Sequence, residues 1–136
     1  MSRPRSLPRV LLFEPHFVMR RTIVSVARDL DVAEIQDAST IDRARALLAG
    51  GVYEGVVLDM DDAARTIDLL GEIRLGRFGS RADAPVFVMA SELRRAEEEQ
   101  LEALAVTQVL RKPFKIGDLL KIVGGSARPP NHQVTR

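Results

Sequence analysis

The chain has 136 residues, a formal net charge of +1 and 46% hydrophobic residues. This length suits one domain with its own core, and the charge gives no bulk attraction to nucleic acid or acidic membranes. Cysteine is absent, which excludes disulfides, thiol catalysis and thiolate metal sites. A cysteine-free chain is compatible with a reducing cytosol, and we expect a cytoplasmic protein. The apolar runs are too short to span a bilayer.

Short apolar runs alternate with helical patterns along residues 9–123. The runs predict strands at Val10–Phe13, Ala33–Asp37, Gly55–Asp59, Pro85–Ala90 and Thr107–Arg111. The ends, residues 1–8 and 124–136, have Pro and Gly but no periodicity, and we predict disordered tails there. Five strands, each followed by a helix, predict an α/β fold. The sheet is expected to be doubly wound, flavodoxin-like, parallel and five-stranded, with the order 2-1-3-4-5.

Each helical pattern gathers apolar residues on one face. In chain order, the five predicted faces are Phe17, Ile23, Val24, Ala27 and Leu30; Ile41, Ala44, Leu47 and Leu48; Ile67, Leu70, Ile73 and Leu75; Leu93, Ala96, Leu101 and Leu104; and Ile116, Leu119, Leu120 and Val123. Thr40 and Ser91 are the predicted N-caps of the second and fourth helices. Polar Glu34 and Gln36 place the second strand at an edge of the sheet.

The functional crevice of such a sheet lies at the carboxyl ends of its strands. Asp59 ends the run "GVVLD", where a carboxylate is held on a stiff element, although a turn residue or helix cap is the ordinary alternative. Lys112 precedes Pro113, which excludes the α region and holds the lysine at a strand end. Glu14 and Ala90 end the first and fourth strands in the same way.

Five segments in this order and at these spacings resemble the CheY-like receiver domain of bacterial two-component response regulators. They are "RVLLFE", "MRR", "GVVLD", "APVFVMAS" and "VLRKPF", and the resemblance covers residues 9–123. It implies that Asp59 accepts a phosphoryl group and that Lys112 pairs with the phosphoryl oxygens. It also implies a cis Lys112–Pro113 bond and an acidic pair for Mg²⁺, of which Glu14 is the first member.

The chain departs from this pattern at the metal site. Pro15 stands where the resemblance implies the second acid, and proline has no side-chain oxygen. Mg²⁺ requires near-octahedral oxygen coordination, so we expect a weakened site made of Glu14, Asp59 and the backbone carbonyl of Met60 or Asp61. His16 is interpreted as a surface loop residue, because imidazole is not a favoured Mg²⁺ ligand.

The chain also departs at the switch positions that the resemblance implies. Ala90 stands where a hydroxyl residue is expected, and Ser91 beside it should face the other side of the strand. Val109 stands where an aromatic residue is expected, three positions before Lys112. The relay from hydroxyl to aromatic side chain is therefore predicted to be missing.

These features favour a divergent single-domain receiver that takes a phosphoryl group on Asp59 weakly or not at all and acts by protein contact. The implied partners are a histidine kinase or phosphotransfer protein and a downstream target, without a DNA-binding domain. We expect a monomer, or a weak dimer through helix 4, strand 5 and helix 5. One alternative is a phosphorylation-independent interaction module. Another is a cyclic-dinucleotide-binding adaptor that uses Arg74, Arg77, Arg81, Arg94 and Arg95. No nucleotide-binding glycine loop or catalytic triad appears, so a metabolic enzyme is not expected.

Overall fold

The computed structural model describes residues 6–126, which form one five-stranded parallel sheet and five helices. In chain order the elements are β1 (Arg9–Phe13), α1 (Phe17–Leu30), β2 (Glu34–Ala38), α2 (Ile41–Gly50), β3 (Gly55–Asp59), α3 (Ala63–Arg74), β4 (Val86–Ala90), α4 (Arg95–Ala103), β5 (Gln108–Arg111) and α5 (Ile116–Ser126). The predicted fold class is confirmed.

The strand order is β2-β1-β3-β4-β5. As predicted, β2 lies at one edge, and β3 and β4 lie inside the sheet, where every residue of both strands is buried. The order reverses at β1, which pairs with β2 on one side and with β3 on the other. A crevice therefore opens at the carboxyl ends of β1 and β3, and the residues after these strands face each other across it.

Each face of the sheet has its own hydrophobic core. One core joins α2, α3 and α4 to the sheet through buried residues that include Ala44, Leu48, Leu69, Leu70 and Leu101. The other joins α1 and α5 to the opposite face through Ile23, Ala27, Leu119, Leu120 and Val123. Because both faces are covered, the interior strands are apolar on both sides, which is why their sequences do not alternate.

Most predicted element boundaries lie within one or two residues of the observed ones. Thr40 caps α2, since its Oγ1 accepts a hydrogen bond of 3.0 Å from the amide of Arg43. The α5 helix runs to Ser126, beyond the predicted end at Val123. Residues 1–5 and 127–136, which make up most of the two predicted tails, lie outside the described residues. Pro8, also assigned to a tail, accepts a hydrogen bond of 2.9 Å from the amide of Glu34.

Five predictions about the helices are wrong. Ala96 was expected on the buried face of the fourth helix, but it is exposed near the start of α4. Phe17, Leu30 and Leu75 were expected on buried faces, but they are 65%, 55% and 70% exposed. Phe17 and Leu30 are the first and last residues of α1, and Leu75 directly follows α3. Each fits the apolar pattern of its helix but lies where the helix no longer packs on the sheet. Ser91 does not cap α4, because a short loop intervenes and the helix begins at Arg95. The amide of Arg94 instead donates to the Glu97 carboxylate at 3.0 Å.

Candidate functional site

Glu14, Asp59 and Lys112 meet at the carboxyl end of the sheet. The ammonium group of Lys112 donates to Glu14 Oε1 at 2.9 Å and to Asp59 Oδ1 at 2.6 Å. Glu14 and Asp59 are separated from Lys112 by 98 and 53 positions along the chain, and they meet because all three residues lie at strand ends. The convergence predicted from the sequence is therefore observed, and the Lys112–Pro113 bond is cis as expected.

The three side chains are largely removed from solvent. The Glu14 and Asp59 side chains are 0% and 1% exposed, and that of Lys112 is 13% exposed. Burial raises the pKa of Asp59, although the hydrogen bond from Lys112 opposes this shift. Burial also lowers the pKa of Lys112, but the hydrogen bonds to Asp59 and Glu14 outweigh it and raise that pKa overall. One buried ammonium group thus offsets two buried carboxylates.

The backbone after β3 fixes the second oxygen of Asp59. The amide of Asp61 donates to Asp59 Oδ2 at 2.8 Å, and the Thr66 hydroxyl donates to the Asp59 carbonyl at 2.8 Å. Thr66 is itself fully buried on α3. Both oxygens of the Asp59 carboxylate therefore accept a hydrogen bond from the protein, and its orientation is set from two sides.

His16 is an exposed loop residue, as interpreted from the sequence, and it also contacts the site. Its Nδ1 lies 2.7 Å from Glu14 Oε2, which also accepts a hydrogen bond of 2.9 Å from the His16 amide. Its Nε2 lies 3.2 Å from Asp61 Oδ2. The imidazole thus joins the loop after β1 to the loop after β3. No sequence signal predicts the second contact, because Asp61 is 45 positions further along the chain.

Arg20 is a second residue that the sequence did not reveal. Its guanidinium group donates to the carbonyl oxygens of Glu14 at 3.0 Å and Pro15 at 3.4 Å. It also donates to Asp37 Oδ2 on β2 at 3.1 Å. Arg20 therefore ties the loop that contains Glu14 and Pro15 to α1 and to the edge of the sheet.

The site supplies fewer ligands than the Mg²⁺ centre that the resemblance implies. Glu14 and Asp59 supply two carboxylates, but Pro15 adds no oxygen. The observed contacts of Asp61 involve its amide and its carboxylate. Mg²⁺ is held by oxygen atoms in strict octahedral geometry, and its other neighbour here is an imidazole. These residues therefore fit that ion less well than a site with a second acid after β1 would.

Two of the three predicted switch positions, Ala90 and Val109, carry small apolar side chains. Ala90 is 3% exposed at the end of β4, and Val109 is half-buried on β5 opposite Val88. Neither offers a hydroxyl group or an aromatic ring. Ser91 is exposed and lines an open cavity of about 590 Å³ together with Lys112 and the loop residues of the site.

Four of the five arginines suggested for an anionic ligand make contacts within the protein. Arg74 donates to the carbonyl oxygens of Ala82, Ala84, Leu104 and Ala105 at 2.7 to 3.1 Å, so each of its three guanidinium nitrogens makes a contact within the protein. The other three pair with acidic side chains nearby, Arg81 with Asp83, Arg94 with Glu97 and Arg95 with Glu99. These contacts do not favour a shared binding site for a cyclic dinucleotide.

Comparison with known proteins gives matches among solved structures only. No protein-family model matches the chain, and no curated protein matches it significantly. The chemotaxis protein CheY4 of Vibrio cholerae has a TM-score of 0.76 at 18% identity, covering 89% of this chain and 99% of CheY4. The CheY-like receiver domain protein from Methanospirillum hungatei has a TM-score of 0.78 at 14% identity, covering 90% and 94%. An orphan response regulator of H. pylori has a TM-score of 0.76 at 17% identity, covering 92% and 100%.

These likenesses define the class of fold. The chain has the CheY-like fold of response-regulator receiver domains, so the resemblance found in the sequence motifs is confirmed for the fold. Within residues 6–126, no helix is both long enough and apolar enough to cross a membrane.

Proposed function

We propose that the chain is a signalling receiver domain in two-component signal transduction that acts through protein contacts. In this proposal Asp59 is the phosphoacceptor position, Lys112 is the group that pairs with the phosphoryl oxygens, and phosphorylation is slow or absent. The observation that carries the proposal is the pair of hydrogen bonds from Lys112 to Glu14 and Asp59 at the carboxyl end of a receiver-like sheet.

The position of Asp59 supports its assignment as acceptor. It ends a strand inside the sheet, and its carboxylate is oriented by Lys112 on one side and by the Asp61 amide on the other. A carboxylate that attacks a phosphoryl group needs fixed geometry and nearby positive charge to offset the charge of the incoming group. Lys112 supplies that charge.

The burial of Asp59 supports slow phosphorylation. Its side chain is 1% exposed, so a donor reaches it only after the loops around it move. Lys112 is also shared with Glu14, and a phosphoryl group on Asp59 would have to compete with that carboxylate for the ammonium group. Because Pro15 weakens the Mg²⁺ site, Mg²⁺ offsets less of the added negative charge.

The switch positions support output that does not use the usual relay. Ala90 and Val109 have no hydroxyl group or ring through which a phosphoryl group on Asp59 could be sensed. A protein partner that binds the folded domain directly does not need such a relay. The proposed partners are a histidine kinase or phosphotransfer protein and a downstream protein target. The proposal does not include metabolic catalysis.

Intact-protein mass spectrometry after incubation with acetyl phosphate and Mg²⁺ tests this proposal. We expect slow, substoichiometric labelling of the wild type, no labelling of Asp59→Asn, and wild-type labelling of Asp68→Asn, which alters an exposed aspartate on α3. Rapid stoichiometric labelling would contradict the slow-acceptor proposal, and labelling that survives in Asp59→Asn would contradict the assignment of the acceptor. No labelling at all would favour the phosphorylation-independent module, which the burial of Asp59 also supports.

A further inference from the structure

The imidazole of His16 lies between two carboxylates in the loops above the sheet. Its Nδ1 faces Glu14 Oε2 at 2.7 Å, and its Nε2 faces Asp61 Oδ2 at 3.2 Å. A histidine that binds a metal through one ring nitrogen almost always donates from the other to a carboxylate or a carbonyl group. Asp61 is placed to accept that bond, which would leave Nδ1 for the interior of the site.

The interior of the site offers two further ligands. One donor atom each from Glu14, His16 and Asp59 lies within 4.8 Å of the other two. Ligands bound to one ion at about 2.0–2.2 Å lie roughly 3 Å apart, so small side-chain shifts bring these atoms into coordination. We propose that Glu14, His16 and Asp59 bind a divalent transition-metal ion of the Zn²⁺ type, with Asp61 holding the His16 ring.

The mixed nitrogen and oxygen donor set determines the class of metal. Imidazole suits Zn²⁺ and the later first-row ions, whereas Mg²⁺ prefers oxygen atoms alone. Three protein ligands with one position open to water are a common arrangement for Zn²⁺. Pro15 stands where the resemblance implies an acid, which weakens Mg²⁺ binding. The neighbouring His16 supplies a nitrogen ligand instead, so the site is expected to prefer a different ion.

Lys112 does not occupy the side of the site where the metal would bind. It contacts Glu14 Oε1 and Asp59 Oδ1, whereas His16 contacts Glu14 Oε2 and the Asp61 amide contacts Asp59 Oδ2. A carboxylate oxygen has two lone pairs, so Oε2 and Oδ2 can keep their backbone hydrogen bonds and still bind a metal. The bound ion would tie the loop after β1 to the loop after β3, whether or not Asp59 is ever phosphorylated.

Calorimetric titration of the full chain with ZnCl₂ and with MgCl₂ tests this inference, and Co²⁺ absorption provides a second readout. We expect one Zn²⁺ per chain, bound at least about tenfold more tightly than Mg²⁺, and visible Co²⁺ bands. His16→Asn should weaken Zn²⁺ binding at least about tenfold and remove those bands. The matched control is His132→Asn, which changes the only other histidine of the chain and should bind as the wild type does.

Each result decides the inference. Equal Zn²⁺ affinity of wild type and His16→Asn would overturn it, as would Mg²⁺ binding as tight as that of Zn²⁺. Loss of binding in the His132→Asn control would overturn it too, by placing the metal elsewhere. His16 is exposed, so we expect His16→Asn to fold, and its thermal midpoint without metal checks this. Asp61→Asn provides an independent variant that should weaken Zn²⁺ binding less than His16→Asn does.

Discussion

Pro15 is the single residue that most changes the chemistry expected of this site. It is exposed in the loop after β1, next to the buried Glu14, and its side chain offers no metal ligand. Pro15→Asp adds an acid where the resemblance implies one. We expect this variant to gain saturable Mg²⁺ binding at millimolar concentrations, because a hard cation then has another direct carboxylate. Isothermal titration with MgCl₂ measures this gain.

The control for Pro15→Asp is Pro15→Ala, which removes the same ring without adding a side-chain oxygen. If both variants bind Mg²⁺ equally well, loop flexibility is the cause and the missing acid is not. If neither binds, the two carboxylates at the site are held too firmly by Lys112 and His16 for a second acid to matter.

Lys112 is the only cation that contacts both buried carboxylates among the described contacts. Lys112→Met keeps the length of the side chain but leaves Glu14 and Asp59 without a charged partner. We expect a loss of about 3 kcal/mol in the free energy of unfolding, as for other broken buried ion pairs. Urea denaturation measures it. Lys121→Met, which alters an exposed lysine on α5, should change stability by less than about 0.5 kcal/mol.

The difference in stability between the wild type and Lys112→Met also depends on pH, with a defined sign. The pKa of Lys112 is raised in the folded protein above its ordinary value of 10.5. Its contribution to stability is therefore fully present below pH 10.5 and is lost as the pH rises through the folded-state pKa. The stability difference between wild type and Lys112→Met should be constant from pH 7 to 9 and shrink above 10.5. A difference that grows at high pH would contradict this assignment.

At the scale of elements, Arg74 connects three segments. It lies at the end of α3 and donates to the carbonyl oxygens of Ala82 and Ala84 in the following loop and of Leu104 and Ala105 after α4. We expect Arg74→Leu to lower the free energy of unfolding by about 2–4 kcal/mol, because hydrogen bonds to a charged donor are lost together. Chemical denaturation measures the change.

Arg77 provides the matched control for Arg74, since it is exposed in the same loop. Arg77→Leu should leave stability within about 0.5 kcal/mol of the wild type. Equal effects of the two substitutions would mean that the charge of the loop matters and that the bonds to the carbonyl oxygens do not.

The sequence predicted elements well where hydrophobic periodicity and burial coincide. The β3 strand was predicted without error, because both of its faces are buried and Asp59 marks its end. The helix ends were predicted less well. Phe17 and Leu75 continue the apolar pattern of their helices but do not pack on the sheet. The period of apolar residues in the sequence does not show where the packing of a helix on the sheet ends. Ser91 is a good capping residue that lies in a loop before α4.

At the scale of the whole molecule, the site was predictable to the extent that topology determines it. Glu14, Asp59 and Lys112 follow from the rule that strand ends in a doubly wound sheet share one crevice. His16 and Arg20 were not predictable in this way. The contact of His16 with Asp61 depends on the geometry of two loops, and the contact of Arg20 with Asp37 joins α1 to β2. Neither contact leaves a pattern in the sequence.

The whole domain is expected to respond little to a phosphoryl group at Asp59. Its two cores pack on opposite faces of the sheet, and the residues between Asp59 and the α4–β5 face include the buried Ala90 and the half-buried Val109. Neither position therefore has a polar or aromatic side chain that would change its conformation in response to a change at Asp59.

Titration of the full chain with Mg²⁺ and beryllofluoride, followed by amide chemical shifts, tests the central claim most directly. The claim is that Pro15 weakens the Mg²⁺ site and that Ala90 and Val109 cannot relay a change at Asp59, so that the domain does not act as a Mg²⁺-dependent phosphoryl switch. We predict no saturable shifts at low-millimolar Mg²⁺, with any changes confined to the loops around Glu14 and Asp59. Saturable shifts that spread from Asp59 into α4 and β5 would contradict the claim and identify a working switch.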